Sequence, residues 1–526
     1  MMIRRIIITL IALGGCIVAV AQHYRVSFIR ESCPWLSADN AATLSLLNVQ
    51  NVSEAQLVFK ADDADFSGIH NPKSAQSLCA DVESYRRILP RMAAYGRISY
   101  KNTAQQEAAG SAFINTTHMP FDIIEDSLTN LGDAHKNEYN IVGAMSYDVC
   151  QRLSLGAKVN LTAADYAKYK DLRHKNSLTD ITATMGIFSP LTSRLQIGGN
   201  VFYRRVIEGV TFCIYGSEDK VYRSLIDYGV LTGHVETFGE NGYTEKNTEQ
   251  PFFSEQKGFS MQLGVGNPSL STGEIWMGAE FSYRHRNGYY GRDTEYSIVH
   301  NRHDGDIYEA NATIAYRHQS GIHQLLFSLD TENLQNDAST YTTIQDDKTS
   351  AHYYQYFTPV KMSNKLWANY SFGYRGFLGI KDGIPTWTIN AKIEQNDRKQ
   401  TVYYYPHSLS QHLKAQTFSA SLLRNIAMRK ATLSLYGALA YRWGNGDLSD
   451  TSTLEASASG NIREPESMLV YQQQDYDCFV SRQATADLYA RYALPIPSAK
   501  LTAYAQAEWI RGRYHRSISL TLGSYF

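Results

Sequence analysis

The sequence predicts an all-β fold, an antiparallel barrel of about 14–18 strands, and three observations predict it. Long segments alternate apolar and polar residues. Short turns and long polar connections follow one another between those segments. The chain stops at Phe526 on an amphipathic strand with no polar tail.

In the final stretch, Ile518, Leu520, Leu522 and Phe526 share one face with Ser524. Ser517, Ser519, Thr521, Gly523 and Tyr525 share the other. That is the alternation of a strand wet on one side only. A terminal amphipathic strand ending in Phe resembles the closing strand of bacterial outer-membrane barrels, where it is an assembly signal. Phe526 is therefore the expected assembly signal here. The usual glycine five residues before the end is replaced by Thr521.

The N-terminus points to the same compartment. Arg4 and Arg5 precede an apolar run from Ile6 to Val20, and Ala19-Val20-Ala21 is a small-x-small cleavage site. Residues 1–21 are read as a secretory signal peptide. Leu13-Gly14-Gly15-Cys16 also fits a lipoprotein box, but the mature chain would then start on the apolar Ile17–Val20, so cleavage after Ala21 is the reading taken. No later stretch reaches ~18 consecutive apolar residues, which leaves no expected membrane helix. Tyrosine is heavy at 37 residues, suiting aromatic girdles; Lys+Arg at 50 against Asp+Glu at 51 gives no nucleic-acid signature. Five cysteines remain after the signal, without zinc spacing; Cys33 and Cys79 are candidates for a bridge, and free, buried thiols are the plainer reading.

Residues 22–90 read differently from the rest. Helix starts near Trp35–Ala42 and Ala80–Leu89 flank strand-like Gln56–Phe59 and a polar turn at Asp62, Asp63 and Asp65. A periplasmic leader, a plug within the lumen and a first pair of strands all fit. Residues 91–526 are the expected barrel. Its first strand is placed at Ala93–Tyr100, and tight turns are expected at Cys150–Arg152, Ser320-Gly321, Ser363-Asn364 and Met428–Lys430. The strands are expected to run about 10 to 15 residues, which matches a tilted strand crossing a bilayer. Long external connections are expected at 101–137, 208–256, 287–305, 332–352 and 444–477, with periplasmic turns opposite. The stretch Val210–Phe238 is the least regular. Within Ala431–Trp443, Leu433, Leu435, Leu439, Tyr441 and Trp443 oppose Thr432, Ser434, Tyr436, Ala438, Ala440 and Arg442. Arg442, and Glu508 by the same alternation, fall on the lumen side, since on the lipid side an arginine costs about 2–4 kcal/mol and a glutamate less, though still unfavourably.

Three stretches carry a family resemblance: Tyr95–Tyr100, Phe121–Ser127 and above all Tyr166–Asp180. The region from Tyr139 to Ile187 resembles a family of outer-membrane β-barrels in Bacteroidota with no activity attached. In that family the last piece tends to read Asp-Pro-Arg-Pro, then Asn, then Asp-Leu. Here Leu172 and His174 stand in place of the prolines and Ile181 in place of the leucine. The resemblance implies fold and location, not a reaction.

Two polar groups are candidate sites. Asp171, Arg173, Asn176 and Asp180 place an arginine between carboxylates at a strand start, suited to a bidentate ligand or a loop latch. His300, His303 and Asp304 offer ligands suited to zinc or iron in an expected external connection; plain solvated loop residues are the alternative. No hydrolase elbow, zincin motif or phosphate loop occurs, and His407, Ser408 and Ser410 offer residue types without spacing. No cofactor is implied. The expectation is a non-enzymatic, porin-like barrel of the outer membrane, a channel or transport component handling a small ligand. The alternative is an accessory of an assembly, secretion or uptake complex that docks proteins through its loops. The partners this reading admits are outer-membrane lipid, a TonB-dependent receptor or surface lipoprotein, and the barrel assembly machinery during biogenesis, with no nucleic acid.

Overall fold

The computed structural model describes residues 25–66, 68–108, 110–125, 130–216, 220–240, 242–268, 272–345, 352–381, 383–447 and 466–526; the expected signal peptide lies outside them. Eighteen antiparallel strands, each paired with the next, form one closed barrel. They are β1 Asn51–Ala64, β2 Ser74–Leu89, β3 Met92–Ala108, β4 Gly132–Cys150, β5 Leu153–Lys168, β6 Arg173–Pro190, β7 Leu195–Cys213, β8 Glu249–Gly266 and β9 Ile275–Gly291. The other half is β10 Val299–His318, β11 Gly321–Ala338, β12 Val360–Leu378, β13 Trp387–Tyr404, β14 His407–Ala427, β15 Thr432–Gly446, β16 Gln483–Ile496, β17 Leu501–Arg511 and β18 His515–Tyr525.

The seam closes β18 on β1, with Leu522 opposite Leu57 and Leu520 opposite Phe59. Beyond the last rung, Phe526 and Ser53 exchange two backbone hydrogen bonds of 2.9 and 3.0 Å.

Alternation decides the two faces of the wall. Met185, Leu439, Leu522 and Ile518 are each more than half exposed and all point outward. Tyrosines bound this apolar belt: Tyr139, Tyr308 and Tyr441 toward the long loops, Tyr147, Tyr316 and Tyr492 toward the short turns. Tyr139 to Tyr147, or Tyr308 to Tyr316, spans about 26 Å along the strand, which fits a band ≈ 25 Å tall once the strand tilts. In water so large an apolar surface would aggregate. In a membrane it is solvated. The protein is an outer-membrane β-barrel. Among the described residues no helix is long and apolar enough to cross a membrane.

Four sequence expectations need correction. The barrel begins at Asn51, not near residue 91: the outward face of β1 mixes Leu57 and Phe59 with Ala55, Ala61 and Asp63, which blurs the apolar stripe, and the inward faces of β1 and β2 carry charge. The strands run from 11 to 21 residues, so several rise above the lipid belt and absorb much of the expected external connections. No turn breaks Ser363-Asn364, which lies inside β12. His300 to Asp306 lies in β10 and not in a loop. The five cysteines of the described residues are all free.

Two segments of the same chain fill the ends of the barrel. At the short-turn end, residues 25–50 form a floor: helix α1 (Val26–Ser32) and two 3-10 turns, Pro34–Ser37 and Ala41–Leu46. At the long-loop end, Asp122–Glu125, Arg223–Gly229 and Thr232–Thr237 make a small antiparallel sheet, the roof, backed by helix α2 (Glu466–Val480).

Candidate functional site

The floor is held by apolar packing and by polar contacts to the inner wall. Val26, Ile29, Leu44 and Leu47 pack on Val52, Tyr85 and Ala93 of the wall; Trp35 meets Phe188 and Trp276 edge-on at 5.8 and 5.1 Å. Asp39 accepts from Lys158 at 3.0 Å and from Arg284 at 3.2 Å. The Asn40 amide donates to the Gln262 side chain at 2.8 Å, Arg30 approaches Glu83 at 3.4 Å and Arg25 donates to Ser434 at 2.7 Å. The wall makes room with glycine: a Cβ on Gly156 would lie 2.0 Å from the Ala42 nitrogen.

The roof is fastened more deeply. Its loop from residue 110 descends to His118, whose ring stacks on Trp367 at 4.4 Å and whose Nδ1 lies 2.8 Å from the Glu332 carboxylate. Arg286 donates to both Glu332, at 2.6 Å, and the His118 carbonyl, at 2.9 Å. Lys365 donates to the Met119 carbonyl at 3.0 Å. Asn176 donates to the Ala112 carbonyl, and Glu208 accepts from the Ile114 nitrogen. Phe113, Phe121 and Tyr243 of the roof pack with Phe252 and Tyr290 of the wall into one aromatic cluster.

Within the roof, Asp122 and Asp227 stand opposite each other across two strands. Two carboxylates so placed repel, and burial penalises the charge of each. Burial pushes Asp122 up to about 7, with Asp227 adding to the rise and the Ser111 hydroxyl and Ile123 nitrogen opposing it. Burial likewise raises Asp227, against donation from the Gly229 and Thr232 nitrogens. The Lys365 ammonium lies in the field of both.

Between floor and roof the inner wall is wet. Along β6, His174, Asn176 and Leu178 are buried under the roof and Thr184 and Phe188 under the floor, while Asp180 and Thr182 between them are only half-buried. Around this waist the wall carries paired charges. Asp180 holds Arg204 through two bonds of 2.9 and 2.7 Å, Arg284 reaches Glu309 at 2.7 Å, and Lys392 reaches Glu394 at 2.5 Å. On the seam side, Arg97 meets Asp81 at 2.7 Å and Lys136 meets Glu138 at 2.9 Å. Although Lys392 and Arg97 point inward, their side chains are 47% and 41% exposed. Only water or a solute inside the barrel can solvate them.

The residues singled out in the sequence do not converge on one space. Asp171 and Arg173 pair at 3.0 Å on the outer rim, where Asp171 also accepts from the Gly216 nitrogen at 2.6 Å. Asn176 serves the roof. Asp180 faces the waist. Arg173 and Asp180 lie about 23 Å apart along one strand. Of the histidine group, His303 points inward, stacked on Phe252 at 5.3 Å, and His300 packs against Tyr243 at 4.5 Å. Asp304 points outward to His285 at 3.2 Å. Neighbours in a strand face opposite ways, so spacing that suits a loop ligand set separates these three. Among the described residues no group of three or more His, Cys, Asp or Glu is placed to hold a metal ion. The waist residues Lys392, Glu394, Arg97, Asp81 and Arg204 were not singled out in the sequence. For all but Asp81, which falls in a stretch read as helical, the signal was a charge on the polar side of a long alternating strand, the same one that placed Arg442 and Glu508 inward.

Solved structures with similar shape include the outer-membrane transporter YddB from Escherichia coli, at 7% identity and a TM-score of 0.45, covering 91% of this chain and 81% of that one. The RagAB peptide importer in its 'closed-closed' state matches at 6% identity and a TM-score of 0.42, over 91% of this chain and 87% of the other. BauA, the ferric preacinetobactin receptor from Acinetobacter baumannii, matches at 10% and 0.38, over 91% and 80%. No curated protein matches the sequence. One sequence family does, over residues 41–526, and the chain belongs to it: the family of unknown function DUF6850.

Proposed function

We propose that the barrel is a gated, non-enzymatic conduit for a small polar solute, with residues 25–50 as its gate. One observation carries this reading: a charged inner wall stays wet between two closures that belong to the same chain but not to the wall. Eighteen strands enclose a lumen too wide for the wall's own side chains to fill, so what occupies it is closing segments and water. Here the interior keeps ion pairs, which suit a polar solute passing in contact with both signs of charge. The floor is the separable closure. It precedes β1 as one continuous segment, so its departure costs the sheet at most the terminal rung from the Arg87 nitrogen to the Gln50 carbonyl. The roof is built from two distant loops and is pinned by Lys365, Arg286 and Asn176.

Planar-bilayer recording tests this. The full chain is expected to conduct rarely, and a variant that lacks residues 25–50 and also carries Lys365→Met, which unpins the roof, to give stable openings. The point variant Asp39→Ala, which loses the contacts to Lys158 and Arg284, is expected to flicker open more often than wild type whenever the roof is open. A double variant that is folded by heat-shifted migration yet never conducts would refute the conduit.

A further inference from the structure

Beyond the roof, β11 and β12 are joined outside the lumen by a two-stranded ribbon, Tyr341–Gln345 paired antiparallel with His352–Tyr356. The ribbon stands clear of the membrane. Its base at Ala338 pairs with Asn301, seven residues above the girdle residue Tyr308, or about 23 Å along the strand. Lipid headgroups do not cover it.

The two edges of the ribbon differ. The Phe357 nitrogen donates to the Thr340 carbonyl at 2.8 Å, which fixes the hydrogen-bonding parity of the pair. In an antiparallel ladder the bonded pairs alternate. With the observed register, Thr342 bonds Gln355 and Ile344 bonds Tyr353. The backbone groups of Tyr354 must then point to the far edge. They do: the Tyr354 nitrogen donates to the Glu295 carbonyl at 3.4 Å. The Tyr356 hydroxyl closes the same edge, donating to the Ser297 carbonyl at 3.2 Å and accepting from the Val299 nitrogen at 2.8 Å. That edge is anchored to the barrel. By the same parity, the N–H and C=O groups of Tyr341, Thr343 and Gln345 point out of the other edge, on residues that are themselves exposed.

Native proteins usually guard such an edge with lysine, proline or a bulge. None of the ten paired residues here is charged, none is proline, and the register runs without a shift. Four are tyrosine, and Tyr341 packs edge-on to Tyr354 and Tyr356 at 5.5 and 6.0 Å, stiffening a ribbon that would be marginal alone. Aromatic rings of this kind supply contact area at low entropic cost.

We infer that the open edge at Tyr341–Gln345 is a strand-addition site for an extended, uncharged segment of another protein at the cell surface. The occupant follows from the chemistry. An array of outward backbone donors and acceptors at the spacing of alternate residues is matched by another extended backbone and poorly by a lipid or an ion. The segment adds as a third strand, its side chains alternating between the tyrosine face and the Thr342–Ile344 face.

A labelled peptide of sequence His-Tyr-Tyr-Gln-Tyr-Phe-Thr, copying residues 352–358, is a suitable probe, since its register against 341–345 is already realised on the inner edge. Binding to the full chain in detergent is read by fluorescence anisotropy. The expected result is saturable binding that weakens at least about tenfold when alternate peptide nitrogens are methylated, and equally on Thr343→Pro. Proline there removes an outward N–H and no bond inside the ribbon. Heat-shifted migration confirms that the variant barrel is folded. Equal affinity for the methylated peptide, equal binding by Thr343→Pro, or no binding at all would each overturn the inference. So would a dimer of the chain that Thr343→Pro abolishes, since a second copy would then be the occupant.

Discussion

Asp122 shows how much a single buried carboxyl decides. Its opposition to Asp227 is created by a pairing between segments about a hundred residues apart in the chain, so nothing local in Phe121-Asp122-Ile123 announces it. A carboxyl whose pKa rises on folding stabilises the docked roof fully below its ordinary value of 3.8, and that contribution is lost as pH rises through about 7. Between pH 6 and 8 this one group should make roof opening about tenfold easier, since opening releases one proton at each pH below the raised pKa and none above it. Glu236, raised to about 7 by burial, acts in the same direction. His234 is pushed down to about 4 by burial; its contribution is full above its ordinary 6.5 and lost on acidification. Amide exchange at Ile123 to Glu125, compared between wild type and Asp122→Asn, isolates the carboxyl. After correction for intrinsic exchange, the Asn variant should lose the roughly tenfold share of the pH dependence between pH 6 and 8 that Asp122 supplies, and keep the share from Glu236. At the same scale, Lys365→Met strands two buried acids beside each other. Removing one partner of a buried charge cluster costs about 3–5 kcal/mol, and protease nicking of the roof loops should rise accordingly. Residue by residue, the sequence located charge well but not its partner. Asp180 is visible as a carboxylate in a polar cluster, yet its partner Arg204 comes from the next strand, and no local spacing links the two.

At the scale of elements, β18 was the most legible and β1 the least, although they pair with each other. The outward face of β18 carries Ile518, Leu520 and Leu522, bulky enough to declare a lipid side. β1 shows Ala55, Leu57, Phe59, Ala61 and Asp63 outward, and its Asp62 and Asp63 resemble a turn. In the structure Asp62 faces inward beside Lys60 at 2.8 Å, and Asp63 faces outward to Arg516 at 2.7 Å. A strand pair of this kind is recognisable only from its mate. The roof strands were illegible for a second reason. Arg223–Gly229 is buried on both faces after its first residue, so it has no alternation to read. Deleting Phe526 removes the two backbone bonds to Ser53 and leaves the inward-facing Tyr525 as the terminal residue. The amount of protein recovered in the outer-membrane fraction should fall several-fold, with little change in total synthesis. Unchanged recovery would mean that the seam closes without its final residue.

For the molecule as a whole, the sharp division is between a wall facing lipid and a wall facing water, one residue apart. Leu439→Arg places a charge in the apolar belt and should cost about 2–4 kcal/mol in folding into lipid vesicles. Ala440→Arg, its neighbour, points into the wet waist and should cost much less. Urea titration of both variants in vesicles measures the contrast, and equal losses would contradict the assigned facing. Strand number and the one-sided loops followed from alternation and turn spacing. The double closure did not, because floor and roof consist of short irregular pieces whose burial depends on a surrounding wall.

The seam between β1 and β18 has a consequence in time. Before these strands meet, the sheet is an open ribbon with one free edge at each end of the sequence, and residues 25–50 hang from the first of them. The floor must therefore be drawn inside while the hoop is still unclasped, or enter through an opening no wider than the finished base. Trp35 and Asn40 fit closely against glycines of the wall; a tethered floor that swings out stays at the base and can find that fit again, whereas a free segment cannot stay there. If enclosure precedes clasping, a chain refolded without residues 25–50 and later supplied with them as a separate peptide should regain its closed state slowly or not at all. The order of assembly would then be remembered in the finished barrel.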